Sequence, residues 1–346
     1  MMLAQKFHID PMTKTYKCLR GLALVGLFIG ISLIDGQIKA QQVSSIPGSF
    51  VDVGFGTRPV AMGYAFVGLA DDENSTYWNP AGLSQAKGFQ AGFSQLDHWG
   101  LVTYNYAAMT IPSFGQNQSL GIALISSGDD ALSELSVHAA YGFKVKFVSF
   151  GAAVKYRSAS FGKNTLSEDT YQVFDPEEIR IGMGQQVTGD AFGIGIDLGM
   201  LLHINESIQF GVMARDYRAP MQWSSAAVES SSYSAKGDYA EDLPMEILFG
   251  ASGRMGDDLV LVADYVPAMD SERTTWVRAG FEKRLAKVLM IRGGTEQGIN
   301  NLDDDKITVG TGLDIRIQNT IRIKADFTYV MDPIKDSQRF SFSLHF

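Results

Sequence analysis

The chain has 346 residues, 45% of them apolar and 11% aromatic, with 36 glycines, a mean hydropathy of zero and a net charge of −9. Mean hydropathy this low excludes a helical membrane bundle but not an alternating β-barrel. The acidic balance argues against nucleic acid as a partner.

In chain order, the first element is an export signal. Lys14, Lys17 and Arg20 form a basic region, and Gly21 to Leu33 is an apolar run shorter than the ~20 residues a membrane helix needs. Ile38-Lys39-Ala40 precedes a cleavage point at Gln41, with Met12 as an alternative start; the competing reading is a retained anchor helix. Residues 1–40 carry five basic and two acidic residues, so their removal moves the net charge from −9 to −12. The lone Cys18 precedes the apolar run, which leaves the mature chain without a disulfide or thiolate chemistry.

Residues 43–88 lack alternation. Gly56 to Ala70 is rich in small residues, Asp71-Asp72 follows, and then comes Tyr77-Trp78-Asn79-Pro80-Ala81-Gly82-Leu83. Asn-Pro marks a turn and removes a backbone donor. The segment is too long for a linker and too short for a domain. It is expected to lie inside a barrel as a hatch or plug, giving three units: 1–40, 41–88 and 89–346.

From residue 89 onward, about fourteen segments alternate with period two, the signature of strands with unlike faces. They are 89–97, 101–112, 118–126, 133–144, 148–158, 192–200, 208–215, 244–255, 259–267, 277–284, 288–298, 307–317, 321–329 and 338–346. Short connections such as 144–147 and 203–207 take turns with long ones at 159–190 and 217–243. A bacterial barrel sorts short turns to the periplasmic rim and long loops outside. The chain ends on Phe340, Phe342, Leu344 and Phe346, alternating with Arg339, Ser341, Ser343 and His345. In a soluble sheet such an edge would template aggregation. In a closed barrel it pairs with the first strand. The fold expected is an all-β, transmembrane antiparallel barrel of about fourteen strands with an N-terminal hatch in its lumen. Phe346 is then an assembly signal read by the barrel-assembly machinery.

The polar strand faces carry Asp197, Arg215, Asp264, Arg278, Glu282, Arg284, Arg292, Asp314, Arg316, Arg322, Lys324, Asp326 and Arg339. Mixed signs suit an ion-pair network filling the lumen better than an ion-selective path, which needs one sign at a constriction. Asp71 and Asp72 either lock onto Arg58 or a lumen arginine, or lie exposed at the mouth. Asp303-Asp304-Asp305 lacks the spacing of an EF-hand and reads as a solvated charge run.

Enzymatic signals are thin. His98, His138, His203 and His345 make no helical metal pair, and there is no Gly-x-Ser-x-Gly elbow. Asp97-His98 with Ser94 or Ser127 is the one hydrolase-like combination. Gly193-x-Gly195 and Gly310-x-Gly312 fall within strands, where glycine admits close packing. No metal and no cofactor are implied.

The ordered pattern Arg58…Ala61-Met62-Gly63…Ala65-Phe66-Val67…Ala70-Asp71-Asp72…Trp78-Asn79-Pro80-Ala81-Gly82-Leu83 resembles the PorV/PorQ family, which is related to the long-chain fatty-acid transporters of the outer membrane. Weaker likeness runs through Leu198-Gly199-Met200, Gly211-Val212, Leu243-Pro244 and Ala263-Asp264-Tyr265 to the last strand. The resemblance implies an outer-membrane barrel whose hatch blocks the lumen while a hydrophobic ligand leaves through the wall. It also implies an alternative, in which the protein serves type IX secretion and docks exported protein cargo. On that alternative the loops 159–190 and 217–243, with Phe161, Tyr171, Phe174, Trp223, Tyr233 and Tyr239, are the docking surface. The partners expected are outer-membrane lipid and either a hydrophobic ligand or secreted cargo.

Overall fold

The computed structural model describes residues 53–346, apart from 101, 113–114, 116, 129–131, 163–186, 228–235, 271–272, 300–304 and 318–319. The signal segment, Tyr171, Phe174, Tyr233 and most of the 303–305 acidic run therefore lie outside the described residues.

Three short helical turns come first: α1 (Thr57–Ala61), α2 (Ser75–Trp78) and a 3-10 turn at Pro80–Gln85. The strands follow: β1 (Gln90–His98), β2 (Val102–Pro112), β3 (Gln118–Gly128), β4 (Leu132–Val145), β5 (Val148–Phe161), β6 (Val187–His203), β7 (Ile208–Arg218) and β8 (Pro220–Ala227). Then come β9 (Lys236–Asp242), β10 (Glu246–Met255), β11 (Leu259–Val266), β12 (Trp276–Arg284), β13 (Leu289–Gly298), β14 (Lys306–Ile317), β15 (Ile321–Met331) and β16 (Ser337–His345).

Fourteen of these close into one antiparallel ring, in which each strand pairs with its sequence neighbour and β7 passes directly to β10. The ring closes where β1 meets β16, with Phe93 opposite Phe342 and Gln90 opposite His345. The Phe346 amide continues the ladder to the Phe89 carbonyl at 2.9 Å, and the two rings lie 5.8 Å apart. Closure leaves no bare barrel edge.

The barrel is apolar outside and polar inside. On β3, Leu120, Ile122 and Leu124 are exposed, while Ser119, Ala123 and Ile125 face inward and are buried. On β14, Ile307, Val309, Leu313 and Ile315 are exposed, while Thr308 and Asp314 are buried. Water would penalise an exposed belt of this extent, whereas lipid matches it. Most strands reach the ~9–11 residues that a tilted crossing requires. No helix among the described residues is long and apolar enough to cross a membrane, which is silent on strands. The fold is a membrane β-barrel.

The expected loop 217–243 is instead a hairpin. β8 pairs with the first half of β6, Val187–Gly193, and β9 pairs with β8. Met221 and Trp223 are buried while Gln222 and Ser224 are exposed, so period two operates here as well. Trp223 and Phe161, expected as loop aromatics, pack together with Met221 and Leu243 rather than standing free. The hairpin prolongs the wall on the rim that carries the long connections.

Candidate functional site: the occupied lumen and its cavity

Residues 53–87 are almost wholly buried, and they touch every one of the fourteen barrel strands. Only a segment inside the ring can do this. Irregular backbone in such a place must find hydrogen-bond partners in the wall. The Thr308 hydroxyl accepts from the Gly63 amide and donates to the Ala61 carbonyl, both at 3.1 Å. Thr328 donates to the Thr57 carbonyl at 3.0 Å, and Ser252 to the Gly68 carbonyl at 2.9 Å. One oxygen of Asp264 accepts the Phe66 and Val67 amides at 2.9 and 3.0 Å. Arg339 donates to the Val53 carbonyl at 2.9 Å, the Gly54 carbonyl and the Tyr64 hydroxyl.

The small residues of 56–82 now have a physical reason. Gly63 adopts φ +68°, and a Cβ there would lie 2.4 Å from the Thr295 amide. Across from it, a Cβ on Gly280 of β12 would lie 2.2 Å from the Met62 carbonyl oxygen. Plug and wall meet backbone to backbone, which only glycine permits. Trp78 is fixed by donating to the Phe55 carbonyl at 2.7 Å. The Asn79 side chain caps the turn by accepting from the Ala81 amide at 3.1 Å; its amide group donates to Val67 and Met200 carbonyls at 2.9 and 3.3 Å. Pro80 opens the 3-10 turn, and Gly82 sits against the Ala70 carbonyl.

Arg58 is the electrostatic hub. It pairs with Asp71 at 2.6 Å, Asp72 at 2.7 Å and Glu282 of β12 at 2.8 Å. Asp71 continues to Arg254 at 2.7 Å; Glu282 continues to Arg292 and Arg292 to Asp326, each at 2.7 Å. Burial raises the Asp71 carboxyl, but Arg58 and Arg254 outweigh it and hold the pKa below the usual value. Asp72 goes the other way: burial, reinforced by the charge of Glu73, exceeds what Arg58 returns. Glu73 is also penalised by burial, yet its hydrogen bond to His345 at 3.0 Å and the charge of Lys324 bring it to about 2.

A second cluster lies wholly in the wall. Lys155 of β5 pairs with Asp197 at 2.6 Å and Asp216 at 2.5 Å; Arg157 takes Asp216 bidentately at 2.8 and 3.0 Å. Asp216 sits on a β7 bulge with φ 53°, where the β6–β7 register shifts, and its amide donates to Asp197 at 2.8 Å. Arg278 and Lys306 share Glu296 at 2.6 and 3.0 Å, and Arg322 with Arg284 flank Asp314. Arg215 meets Glu246 at 3.4 Å.

The structure redistributes several expected roles. Asp264 and Arg339 serve the plug backbone rather than an opposite charge. Arg316 shares the inward face of β14 but is exposed at its turn end, beyond the network. Lys324 is half-buried near Glu73. Lys155, Arg157, Asp216, Glu246, Glu296 and Glu73 belong to the clusters yet were not singled out in the sequence. The available signal was glycine: Gly195 faces Lys155, Arg157 and Asp216, and Gly312 faces Asp326 and Arg292. A strand glycine opposite a long charged side chain marks where that chain is accommodated.

Of the hydrolase-like set, the Asp97 carboxylate accepts the Gly100 amide at 2.8 Å, and the Ser127 hydroxyl donates to Glu134 at 3.1 Å. Among the described residues, no group of three or more His, Cys, Asp or Glu side chains could hold a metal.

Between plug and wall, toward the rim with the long connections, lies a cavity of about 200 Å³. Phe55, Tyr77 and Tyr104 line one part of it, and Arg157, Arg215 and Glu246 another. A second space of about 10 Å³ adjoins Tyr106, Glu73 and Lys324 and has room for a water.

No family model matches the chain, and no curated relative is found. Solved structures do match. The CymD monoaromatic hydrocarbon channel superposes with TM-score 0.58 at 13% identity, over 84% of this chain and 96% of that one. The Pseudomonas putida toluene transporter TodX gives 0.56 at 12%, over 84% and 97%. A Pseudomonas aeruginosa FadL homologue gives 0.56 at 11%, over 83% and 97%. At these identities the likeness speaks to fold alone: the same barrel architecture along nearly the full length of each neighbour.

Proposed function

We propose that the chain is an outer-membrane channel that binds and passes a small molecule with a substantial hydrophobic part, without catalysis. The observation that carries this reading is the combination of a closed fourteen-strand ring with an internal segment touching every strand. A lumen so filled is closed to general solutes, and passage requires the segment 53–87 to shift. The fold shared with a hydrocarbon channel and a toluene transporter supports the ligand class. On this reading the short-turn rim and both termini face the periplasm and the β8–β9 hairpin faces outside.

Kinship with PorV/PorQ is the finer proposal, supported by the residues from Arg58 to Leu83. Docking of type IX cargo is weakened as an alternative, because Trp223 and Phe161 are packed against the wall rather than displayed. The test is uptake of labelled toluene and laurate by cells that carry or lack the chain in their outer membrane. Faster uptake with the chain is expected. Equal uptake, together with recovery of a secreted protein on the purified barrel, would move the assignment to cargo docking.

A further inference from the structure

We infer that the outer faces of β1, β2 and β3 form a docking surface in the plane of the membrane, and that its occupant is a second copy of this chain. The inference concerns the outside of the wall and goes beyond the channel reading. The apolar belt is not of even height. On β6 its outward residues are apolar from Phe192 to Leu202, and on β15 from Ile321 to Met331. Strands rising ~3.3 Å per residue at a tilt of about 40° carry such runs through roughly 25 Å, the height of a full belt.

The belt is notched over the first three strands. On β1 the outward set is Phe89, Ala91 and Phe93, and then Gln95. On β2 it is Ile111, Met109 and Ala107, and then Asn105. On β3 it is Leu120, Ile122 and Leu124, and then Ser126. Each apolar run here is roughly 10 Å tall. Gln95 lies opposite Asn105 and Asn105 opposite Ser126, so the polar residues form one row across adjoining strands. The row stands roughly 15 Å above Phe89, at a height where the belt on β6 and β15 is still apolar.

The row carries unspent hydrogen-bonding capacity. The Gln95 amide group donates to the Asn105 side-chain oxygen at 3.1 Å on the open face. The Gln95 oxygen and the Asn105 amide group make no other hydrogen bond among the described residues. Lipid tails cannot meet these groups. A wall too short for its bilayer is relieved by thinning the bilayer or by oligomerising. The amide chemistry selects the second. A Gln–Asn pair presents a spare acceptor beside a spare donor. Across a two-fold axis such a pair is its own complement, because each copy's acceptor meets the other's donor. Phe93, Leu124 and Phe340 stand exposed around the row and supply an apolar surround. Asp97, at the hairpin tip above, accepts the Gly100 amide at 2.8 Å, and Lys335 reaches the neighbouring Trp99 carbonyl at 2.6 Å, so both signs are present at the rim.

The test uses the full chain in intact outer membranes and in lipid vesicles. Ala107→Cys faces outward beside the row, and Leu261→Cys faces outward on β11, across the ring. Cys18, the only native cysteine, is changed to Ser in both. A short bis-maleimide is expected to join copies of Ala107→Cys into a dimer and to leave Leu261→Cys monomeric. In vesicles, energy transfer between labelled copies should fall on dilution with lipid. Gln95→Leu combined with Asn105→Leu should move that fall to an about ten-fold higher protein-to-lipid ratio, the scale of two side-chain hydrogen bonds within a membrane. Leucine suits a lipid-facing position, and heat-modifiable migration checks that the variant folds. Cross-linking at neither site or equally at both overturns the inference. So does energy transfer unmoved by the double variant, or a cross-linked product with a different protein. The channel reading stands in each of these cases.

Discussion

The plug is fastened unevenly around its ring. On the side of β10 to β16 it is held by polar side chains: Arg58 to Glu282, Arg254 to Asp71, Asp264 to two amides, Thr308, Thr328 and Arg339 to backbone. On the side of β2 to β6 its contacts are mainly aromatic packing and glycine faces. The polar ties there are few, chiefly Asn79 to Met200 and Ser84 to Ser149. The charges of that side, Lys155, Arg157, Asp197 and Asp216, pair with one another and border the cavity. The lesson is mechanical. A plug welded to one arc and merely packed against the other will swing open on the packed arc, next to the cavity.

Arg58→Met should give the largest effect. It leaves Asp71, Asp72 and Glu282 buried with reduced compensation, and breaking a buried pair costs about 3–5 kcal/mol. The expected outcome is a leaky barrel: higher single-channel conductance with normal heat-modifiable migration, since the strands pair without the plug. Unchanged conductance would mean that the weld does not hold the plug.

Lys155→Met strips the other cluster. Arg157 still answers Asp216, so the cost centres on Asp197, which loses its Lys155 ion pair, at about 3–5 kcal/mol. The comparison predicts a lower unfolding temperature in detergent with no added leak, because Lys155 pairs with no plug carboxylate. Leak equal to that of Arg58→Met would erase the distinction between the two arcs.

The strands were legible from sequence because lipid imposes period two on them. Phe340 and Phe342 alternate with Arg339 and Ser341, and all four lie on the expected faces. The β8–β9 hairpin was not legible. Trp223-Ser224-Ser225-Ala226-Ala227 is a strand only because β6 extends past the ring and offers it a ladder. The lumen charges were legible as a set but not as partners. Arg58 and Glu282 are 224 residues apart, and no local pattern joins them. Asp264 looked like one more lumen charge. That it receives plug amides follows only from where 66–67 lies. Asp216 escaped because it sits on a bulge, where alternation fails by construction.

Asn79→Ala tests the packed arc. The side chain makes three hydrogen bonds, to the Ala81 amide and the Val67 and Met200 carbonyls. Its removal leaves buried backbone groups short of partners, at about 1–3 kcal/mol. Conductance should rise, but by less than for Arg58→Met. The fluctuations should be brief, since the opposite weld still returns the plug. Long-lived open states in this variant would show that the weld is not the return element.

The smallest effect is acid opening. Glu73 is held at about 2, below the usual carboxylate value, so its contribution to docking is complete above pH ~4.5 and is lost as the pH falls toward 2. Asp71, also depressed, adds the same sign. Asp72 opposes them: its pKa is raised, so protonation relieves a cost that is present when it is ionised. His345, at 3.0 Å, and Lys324 are the basic groups facing Glu73. The net conductance should therefore stay flat from pH 7 to about 5 and climb modestly below 4.5. Glu73→Gln should raise the baseline at pH 7 and flatten the climb. A rise that begins above pH 5 in the native chain would remove Glu73 as the acid-sensitive tie.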